Sequence, residues 1–335
     1  MKPFRISDYK LININSTQET EIIDYGIRMV GAPLEWAETM GDGIKVGIVD
    51  TGVCCNHPDL KGRIADGINF SGGSLSDIED ENGHGTHVAG IIGAERNGRG
   101  VVGVAPKSEL YVAKAFGKDG KTNYQAVEKS LLWMIGKNVD VVNMSFSSPE
   151  TSARYANLIS HVHDCGITMI CAAGNEGVHG NNTIGYPGKF PETIAVSAVD
   201  INKNIAEFSS KGSAAEISAA GINIYSTYLD NGYATLSGTS MATPIITGAV
   251  AILQAKGILR YKRRLTPDEI RLLLNIYTED LSGNGRDESY GYGLFSFGRI
   301  SGSDYVSASE AEKLIRRRKE LNSKTMELLV AMLLS

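Results

Sequence analysis

Cysteine is scarce, and its placement excludes two common uses of the residue. Only four of the 335 residues are cysteine. Cys54 and Cys55 are adjacent, and Cys165 and Cys171 do not complete the spacing of a disulfide framework. The paired Cys-x-x-Cys units of a structural zinc site are also missing. The pattern therefore favours free thiols and a reducing compartment.

Long apolar runs and an excess of one charge are missing as well. The longest late apolar stretch, residues 328–334, is too short to span a bilayer. Residues 1–8 lack the apolar segment of a secretory signal. The net charge is only −5, which gives no reason to expect nucleic acid or an anionic membrane as a partner. We therefore expect a cytoplasmic protein that binds no nucleic acid and no membrane.

The chain is rich in glycine and otherwise has an ordinary globular composition. Glycine accounts for 38 residues and proline for 9, while 42% of residues are apolar and 21% are charged. Many glycines indicate many tight turns and close approaches of the backbone. The length suits one large domain. We expect a polar N-terminal extension over residues 1–20, a single folded domain over 21–300 and a helical tail over 301–335.

Apolar runs alternate with helix-like segments through the middle of the chain. The β-rich apolar runs are residues 44–49, 110–115, 139–144, 167–172 and 193–199. Such strands are typical of a sheet that is buried on both faces. Between them, residues 124–137 and 152–165 have helical spacing, and the second segment ends at a glycine. The alternation predicts an α/β fold with a parallel sheet between helices.

An acid and a histidine stand in short segments that contain glycine. Asp50 ends the first apolar run, and active sites of parallel sheets collect at that edge. A strand-end Asp also serves as a turn residue or helix cap. His84 precedes an apolar, helix-like run, and a metal site built on His84 and His87 would lack the neighbouring Glu of the zincin arrangement. We interpret His87 as a packed residue.

A serine and an asparagine occupy similar positions further along the chain. Ser240 stands in a turn rich in Gly and Thr before an apolar helix, where the helix dipole favours negative charge. The same position suits an N-cap residue. Pro244 is expected to fall in the first turn of that helix. Asn175 follows a buried strand, either as a turn former or as a donor aimed at a reacting oxygen.

Together, these four residue types suit nucleophilic catalysis. Serine is a poor nucleophile unless a histidine takes its proton, and that histidine needs an acid to fix its tautomer and stabilise the imidazolium. The tetrahedral intermediate needs hydrogen-bond donors. Each signal is modest alone, and their joint occurrence is highly specific.

Four segments resemble the signatures of the subtilisin family, in the chain order Asp, His, Ser. They are Asp50-Thr51-Gly52, His84–Gly90, Ala173-Gly174-Asn175 and Gly238–Ala242. The resemblance extends from about residue 25 to residue 297 and implies a serine endopeptidase acting on proteins or peptides. Asp50, His84 and Ser240 would be its triad, and Asn175 would help to hold the oxyanion. The implied fold is a single α/β domain with a parallel seven-stranded sheet sandwiched between helices.

The resemblance also implies a groove in which two backbone segments pair with extended substrate. The implied groove and pocket residues are Gly117, Gly120, Ser145, Phe146, Ser147, Ala172, Ala173, Gly174, Glu176 and Gly185. Glu176 and Gly185 would lie deeper in the main specificity pocket. Relatives commonly carry glycine where this chain has Ser147, so its hydroxymethyl group is expected to narrow the pocket entrance or add a polar contact.

Calcium is the cofactor that the resemblance implies. Relatives bind the ion through an Asp after His-Pro and through the loop after the histidine's helix, which suits a cation that prefers oxygen ligands. The corresponding groups are the side chains of Asp59, Asn97 and Glu21 and the carbonyl oxygens of Glu95, Arg99 and Val101. The alternative is a glycine-rich turn without an ion.

Within the family, the chain looks most like the intracellular subtilisins. In those relatives a short N-terminal extension, typically carrying Leu-Ile-Pro-Tyr, lies across the active site and keeps the zymogen inactive until it is cut. This chain has Leu11-Ile12-Asn13-Ile14 instead. We expect residues 8–16 to dock through Leu11, Ile12 and Ile14, with a disordered tail as the alternative. A homodimer is a further expectation.

Other functions on the same fold are a catalytically silent peptide-binding or regulatory protein and an esterase or peptide ligase. The four catalytic positions are all present, which disfavours the silent protein. Ligation normally needs a modified nucleophile, and Ser240 is an ordinary serine.

Overall fold

The computed structural model describes residues 4–6, 9–15, 17–283 and 285–298. The predicted tail over residues 301–335 lies outside these ranges. The strands are β1 (Phe4–Arg5), β2 (Lys10–Asn15), β3 (Lys45–Asp50), β4 (Ile64–Asn69), β5 (Glu109–Lys114), β6 (Lys121–Thr122), β7 (Val141–Met144), β8 (Thr168–Ala172), β9 (Thr193–Val199), β10 (Ala215–Ala220), β11 (Ile224–Thr227), β12 (Tyr233–Ser237), β13 (Thr278–Glu279) and β14 (Leu294–Phe295). The α-helices are α1 (Tyr25–Met29), α2 (Ala32–Glu35), α3 (His84–Gly93), α4 (Tyr124–Lys137), α5 (Ala153–Asp164), α6 (Thr239–Tyr261) and α7 (Pro267–Ile276).

The central sheet has the strand order β13-β14-β10-β9-β8-β7-β3-β5-β4 within the described residues. From β10 to β4, seven strands run parallel to their neighbours. This confirms the predicted parallel seven-stranded sheet. Two-residue strands extend one edge, β14 parallel to β10 and β13 antiparallel to β14. Two smaller sheets, β1-β6 and β11-β12-β2, lie apart from it.

Alternate residues of the central strands face opposite apolar layers. On β5, Leu110 and Val112 belong to one buried cluster, and Tyr111 and Ala113 belong to the other. Helices α3 and α6 contribute to the first cluster, and α4 and α5 contribute to the second. The sheet is therefore covered by helices on both faces, as the continuous apolar runs predicted.

Side-chain caps set the bounds of the two predicted helices on the second face. The Asn123 side chain accepts a hydrogen bond from the backbone of Ala126 at the start of α4, and Asn138 ends that helix in the left-handed region at φ 53°. Ser152 caps α5 in the same way. Gly166 follows α5 at φ 81°, which a residue with a side chain rarely adopts.

The carboxyl ends of three adjacent strands position the candidate residues. β3 ends at Asp50, β7 ends one residue before Ser145, and β8 ends at Ala172. Helices α3 and α6, which begin at His84 and Thr239, pack against each other on the same face of the sheet. The fold therefore collects the four predicted segments at one edge.

Candidate active site

Asp50 and His84 form a buried hydrogen-bonded pair at the end of β3. Asp50 Oδ1 and His84 Nδ1 are 2.8 Å apart, and the two side chains are 1% and 0% exposed. The backbone N–H of Thr51 donates to the same carboxylate oxygen at 2.8 Å. These bonds fix the carboxylate against the imidazole ring.

Glycine at position 85 permits this close approach. A Cβ atom on Gly85 would lie 2.2 Å from the carbonyl oxygen of Gly52 and 3.1 Å from Asp50 Oδ1. A side chain there would push α3 away from the end of β3 and separate His84 from Asp50.

The pairing also sets the tautomer of His84. A ring nitrogen that bonds a carboxylate carries the proton, so Nδ1 donates and Nε2 keeps its lone pair. Nε2 is buried and has no hydrogen-bond partner among the described residues. Such a nitrogen is available to accept a proton from a nearby hydroxyl. The neighbouring His87 is packed in the core as predicted, with Nε2 3.1 Å from two backbone carbonyl oxygens.

Ser240 is the second residue of α6 and is completely buried. Its hydroxyl donates to the Ser145 carbonyl at 3.0 Å, and the Ser145 hydroxyl donates to the Ser240 carbonyl at 3.0 Å. Pro244 explains the second bond, because proline has no N–H to donate to the carbonyl four residues earlier. The prediction that Pro244 lies in the first turn is wrong, since α6 begins at Thr239. The Ser145 hydroxyl therefore supplies the hydrogen bond that the Ser240 carbonyl lacks within the helix.

The carboxamide of Asn175 is oriented by Thr239. Asn175 Oδ1 accepts hydrogen bonds from the backbone N–H of Thr239 at 3.0 Å and from its hydroxyl at 2.8 Å. With the oxygen held, the amide nitrogen faces the turn before Ser240, where a Cβ atom on Gly238 would lie 3.2 Å from Asn175 Nδ2. The donor side of the carboxamide is therefore directed toward the start of α6.

The first described residues of the chain lie between the two predicted groove segments. β1 pairs antiparallel with β6, with Arg5 opposite Lys121. On the other side, Arg5 exchanges two backbone hydrogen bonds with Ser147, at 3.4 and 3.2 Å, and the Ile6 N–H donates to the Gly120 carbonyl at 3.0 Å. Residues 4–6 thus form the middle strand of a three-stranded arrangement, as an extended substrate would.

Tyr9 covers His84. The two ring centroids are 5.2 Å apart, and the Tyr9 hydroxyl donates to Asn82 Oδ1 at 3.2 Å. Burial raises the pKa of Tyr9 above its ordinary value, with the neighbouring Tyr228 as a further cause. Tyr228 itself packs on Gly83 and donates to the Asn82 carbonyl at 3.3 Å. An aromatic cover therefore lies over the imidazole.

The prediction that the extension docks through Leu11, Ile12 and Ile14 is wrong. These side chains are 44%, 46% and 55% exposed. The strand that carries them, β2, is held by backbone pairing with β12 and not by burial of these side chains. The buried anchors are Phe4, at 0% exposed, and Ile6, at 7%. The alternation of apolar and polar residues at positions 4–6 is the signal for this strand, but three residues are too few to be distinctive.

Phe4 fills an aromatic pocket beside the groove. Its ring centroid is 5.8 Å from that of Phe146 and 5.2 Å from that of Tyr155, both in edge-to-face geometry. Such contacts stabilise aromatic pairs beyond the burial of their area. The predicted groove residue Phe146 therefore contributes its side chain as well as its backbone.

The predicted pocket residues meet next to the groove. Ala172 and Ala173 are fully buried at the end of β8, and the Gly185 N–H donates to the Ala173 carbonyl at 3.3 Å. Gly174 follows them at φ 109°. Glu176 does not lie deeper in the pocket as predicted. Its side chain is exposed, and Glu176 Oε2 lies 3.3 Å from His179 Nε2. A charged side chain is better solvated at the surface than buried among glycine and alanine.

Gly117 lies at the start of a turn rather than against the docked strand. Its N–H donates to the Lys121 carbonyl at 3.1 Å, and its carbonyl accepts from the Gly120 N–H at 2.9 Å. Gly117 therefore shapes the groove segment, whereas Gly120 makes the contact.

The predicted calcium residues converge on the loop after α3. Asp59 is completely buried, with Oδ1 3.1 Å from Asn97 Nδ2 and Oδ2 2.9 Å from the Val101 N–H. Its backbone carbonyl accepts from the Glu95 N–H at 2.8 Å. Glu21 reaches the same loop, where Oε2 accepts from the Gly98 N–H at 2.8 Å. No group of three or more His, Cys, Asp or Glu side chains able to hold a metal occurs within the described residues.

The sequence matches the subtilase family over residues 41–293. An intracellular serine protease of Paenibacillus polymyxa is 38% identical over 283 residues, which cover 83% of this chain and 87% of that protein. Subtilisin DY of Bacillus licheniformis is 43% identical over 238 residues, covering 70% and 86% of the two chains. The minor extracellular protease Epr of Bacillus subtilis (strain 168) is 34% identical over 316 residues, 93% of this chain and 47% of that protein. The chain therefore belongs to the subtilase family and is a subtilisin-like serine endopeptidase.

Proposed function

We propose that Asp50, His84 and Ser240 are the catalytic triad of this protease. The observation that carries the proposal is the buried Asp50–His84 pair, whose Nε2 is left to accept a proton. Ser240 supports it, because the start of α6 lies at the same sheet edge and its dipole favours negative charge on the serine oxygen. Asn175, oriented by Thr239, supplies an oxyanion donor together with the backbone N–H of Ser240.

Peptide hydrolysis then proceeds through an acyl-enzyme. Ser240 Oγ turns away from the Ser145 carbonyl, attacks the peptide carbon and gives its proton to His84 Nε2, while Asp50 stabilises the imidazolium. The C–N bond breaks as His84 passes the proton to the leaving amine. A water molecule, deprotonated by His84, attacks the acyl carbonyl. The proton returns to Ser240, and the carboxylic acid leaves.

The protein or peptide substrate binds as an added strand between residues 117–121 and 145–147. The support is the position of Arg5 and Ile6, which make this backbone pairing with Ser147 and Gly120. Strand addition needs no particular side chains from the substrate, so side-chain pockets decide specificity.

The N-terminal extension acts as an inhibitor in cis and makes the intact chain a zymogen. It occupies the groove with Phe4 and Ile6 and covers His84 with Tyr9. A tethered segment needs only modest intrinsic affinity, because a short linker gives an effective concentration in roughly the millimolar range. Cleavage within the extension removes that advantage and lets the segment diffuse away.

The loop after α3 holds a calcium ion in our proposal. The carboxylate of Asp59 is fully buried, and its described side-chain partners are neutral donors, including the Tyr233 hydroxyl at 3.0 Å. A buried carboxylate is stabilised by a cation. Asp59, Glu21 and Asn97 would hold the ion together with the carbonyl oxygens of Glu95, Arg99 and Val101, an oxygen set that suits Ca²⁺. Its role there is to tie the loop to the start of the domain.

We place the enzyme in the cytoplasm. All four cysteines are free thiols in the structure, which suits a reducing compartment. One relative is named an intracellular protease, whereas another is named an extracellular one.

Labelling with a fluorophosphonate, which modifies an activated serine, tests the central proposal. We expect the chain carrying Phe4→Asp, which undocks the extension, to be labelled at Ser240, as mapped by peptide mass spectrometry, and we expect no label when Ser240→Ala or His84→Ala is added. Ser76→Ala, at an exposed serine, is the control and should leave the labelling of the Phe4→Asp chain unchanged. A folded chain that resists the reagent even with its extension undocked would favour the catalytically silent alternative.

A further inference from the structure

The side chain of Ser147 lies between two glycines at the wall of the specificity pocket. A Cβ atom built on Gly185 would lie 3.0 Å from Ser147 Cβ and 3.4 Å from its hydroxyl oxygen. A Cβ atom built on Gly174 would lie 3.6 Å from the same hydroxyl oxygen. The Ser147 side chain therefore lies close to both glycine positions.

The register of the docked strand shows which substrate residue meets this side chain. Arg5 and Ser147 are directly opposite and exchange both backbone hydrogen bonds, so their side chains lie on the same face of the strand pair. Residues two apart in a strand also share a face. The substrate residue two positions after the one at Arg5 therefore points to the same side as Ser147.

The same register identifies that residue as the one before the cleaved bond. In an antiparallel pair, moving two residues forward from Arg5 means moving two residues back from Ser147, to Ser145. Ser145 is the residue that exchanges two hydrogen bonds with Ser240. The carbonyl presented to the nucleophile thus belongs to the substrate residue that shares a face with Ser147.

We propose that Ser147 closes the specificity pocket to large side chains, so that the enzyme cleaves after small residues such as alanine and serine. The inference rests on the proposed triad and groove. The other walls of the proposed pocket, Ala173, Gly174 and Gly185, carry little or no side chain, so the Cβ atom of Ser147 beside Gly185 is the obstacle on which the proposal depends.

Hydrolysis of the peptides Phe-Arg-Ile-X-p-nitroanilide, with X as Ala, Leu or Phe, tests the proposal. For the full-length enzyme we expect kcat/KM to be at least about tenfold higher for Ala than for Phe, because one carbon in a pocket changes discrimination by about 10–200-fold. Ser147→Gly should lower this Ala-to-Phe ratio by tenfold or more. Ser147→Ala, which keeps the Cβ atom, should leave the ratio within a few fold. The ratio of two kcat/KM values does not depend on how many molecules the extension leaves accessible.

The outcomes separate this inference from the proposed function. An unchanged enzyme that prefers Leu or Phe to Ala, or a Ser147→Gly enzyme with an unaltered ratio, overturns the inference alone. A ratio in Ser147→Ala as low as in Ser147→Gly would also overturn it, because the hydroxyl and not the volume would then be the determinant. Fluorophosphonate labelling without hydrolysis of the Ala peptide rejects the inference too. Failure of both labelling and hydrolysis in a folded chain, with the extension undocked by Phe4→Asp, rejects the proposed function.

Discussion

The proposed catalytic residues and the N-terminal extension meet at one sheet edge but are held there in different ways. Asp50 and His84 are buried, hydrogen-bonded and carried by elements of the core. The extension is held by the side chains of Phe4, Ile6 and Tyr9 and by backbone pairing along a surface groove. The proposed catalytic geometry is therefore part of the domain, whereas the segment that covers it lies along a surface groove.

Ser240→Ala tests most directly whether the buried residues of the domain carry out catalysis. We expect kcat of the processed enzyme to fall on the order of 10⁶-fold, a loss of the size known for subtilisin itself. The domain should still fold, because a buried hydroxyl bonded to one carbonyl is a small part of the core. Peptidase assays and thermal melting measure the two effects, and full retained activity would contradict the assignment.

Asn175→Ala should have the next largest effect. Removing one oxyanion donor is expected to lower kcat by about 10²–10³, again a magnitude taken from subtilisin. KM should change little, because the donor acts on charge that develops after binding. A loss confined to KM would show that Asn175 only shapes the groove.

The second half of the comparison is tested within the extension itself. Phe4→Asp should raise the activity of the intact chain by about 10–100-fold, because burial of a Phe side chain contributes roughly 1.5–3 kcal/mol to docking. Leu11→Asp is the matched control, since Leu11 is an exposed residue of the same extension, and it should change activity little. Initial rates of uncleaved protein measure both variants. Equal activation by the two would mean that side-chain burial does not hold the extension.

Calcium removal tests whether the segment at Glu21 is held by an ion, separately from the docked residues Phe4, Ile6 and Tyr9. An ion that binds only the folded state adds about 2.7 kcal/mol at a hundredfold excess over its Kd, so chelation should lower the Tm by several degrees. Glu21→Gln should reduce that difference while leaving the buried Asp59 intact. Thermal melts with and without chelator provide the measurement, and identical Tm values in the unchanged chain would count against the ion.

The smallest expected effect concerns the scaffold under His84. Burial lowers the pKa of His87 from 6.5 to about 3. Between these values the unfolded chain binds the extra proton, so His87's contribution to the free energy of unfolding is complete above pH 6.5 and declines as the pH falls toward 3. Urea midpoints at pH 7.5 and 4.5 should therefore differ more in the unchanged chain than in His87→Gln. The same pH dependence in both proteins would show that other groups cause it.

Sequence patterns predicted the parts of the molecule that depend on buried side chains. The run at residues 193–199 has the bounds of β9, and the segment at 124–137 has the bounds of α4, because each pattern spans enough residues to show a period. The sequence favoured the apolar side chains of β2 as docking anchors, but these side chains are exposed, and β2 is held by backbone pairing with β12. Backbone pairing leaves no trace in composition, so the buried anchors Phe4 and Ile6 were missed. The prediction for Glu176 was wrong because its charged side chain points to solvent, although its neighbours Ala173 and Gly174 are buried.

The extension also protects the edge of a small sheet, because β2 pairs with β12. β2 is the outer strand next to β12, and β12 ends three residues before Ser240. A cut that released β2 would make β12 the edge of its sheet, with unpaired backbone N–H and C=O groups. Exposed edges of this kind recruit strands from other chains, including further copies of the same protein. Activation by cleavage and a tendency to self-associate beside the nucleophile would thus arise from the same event.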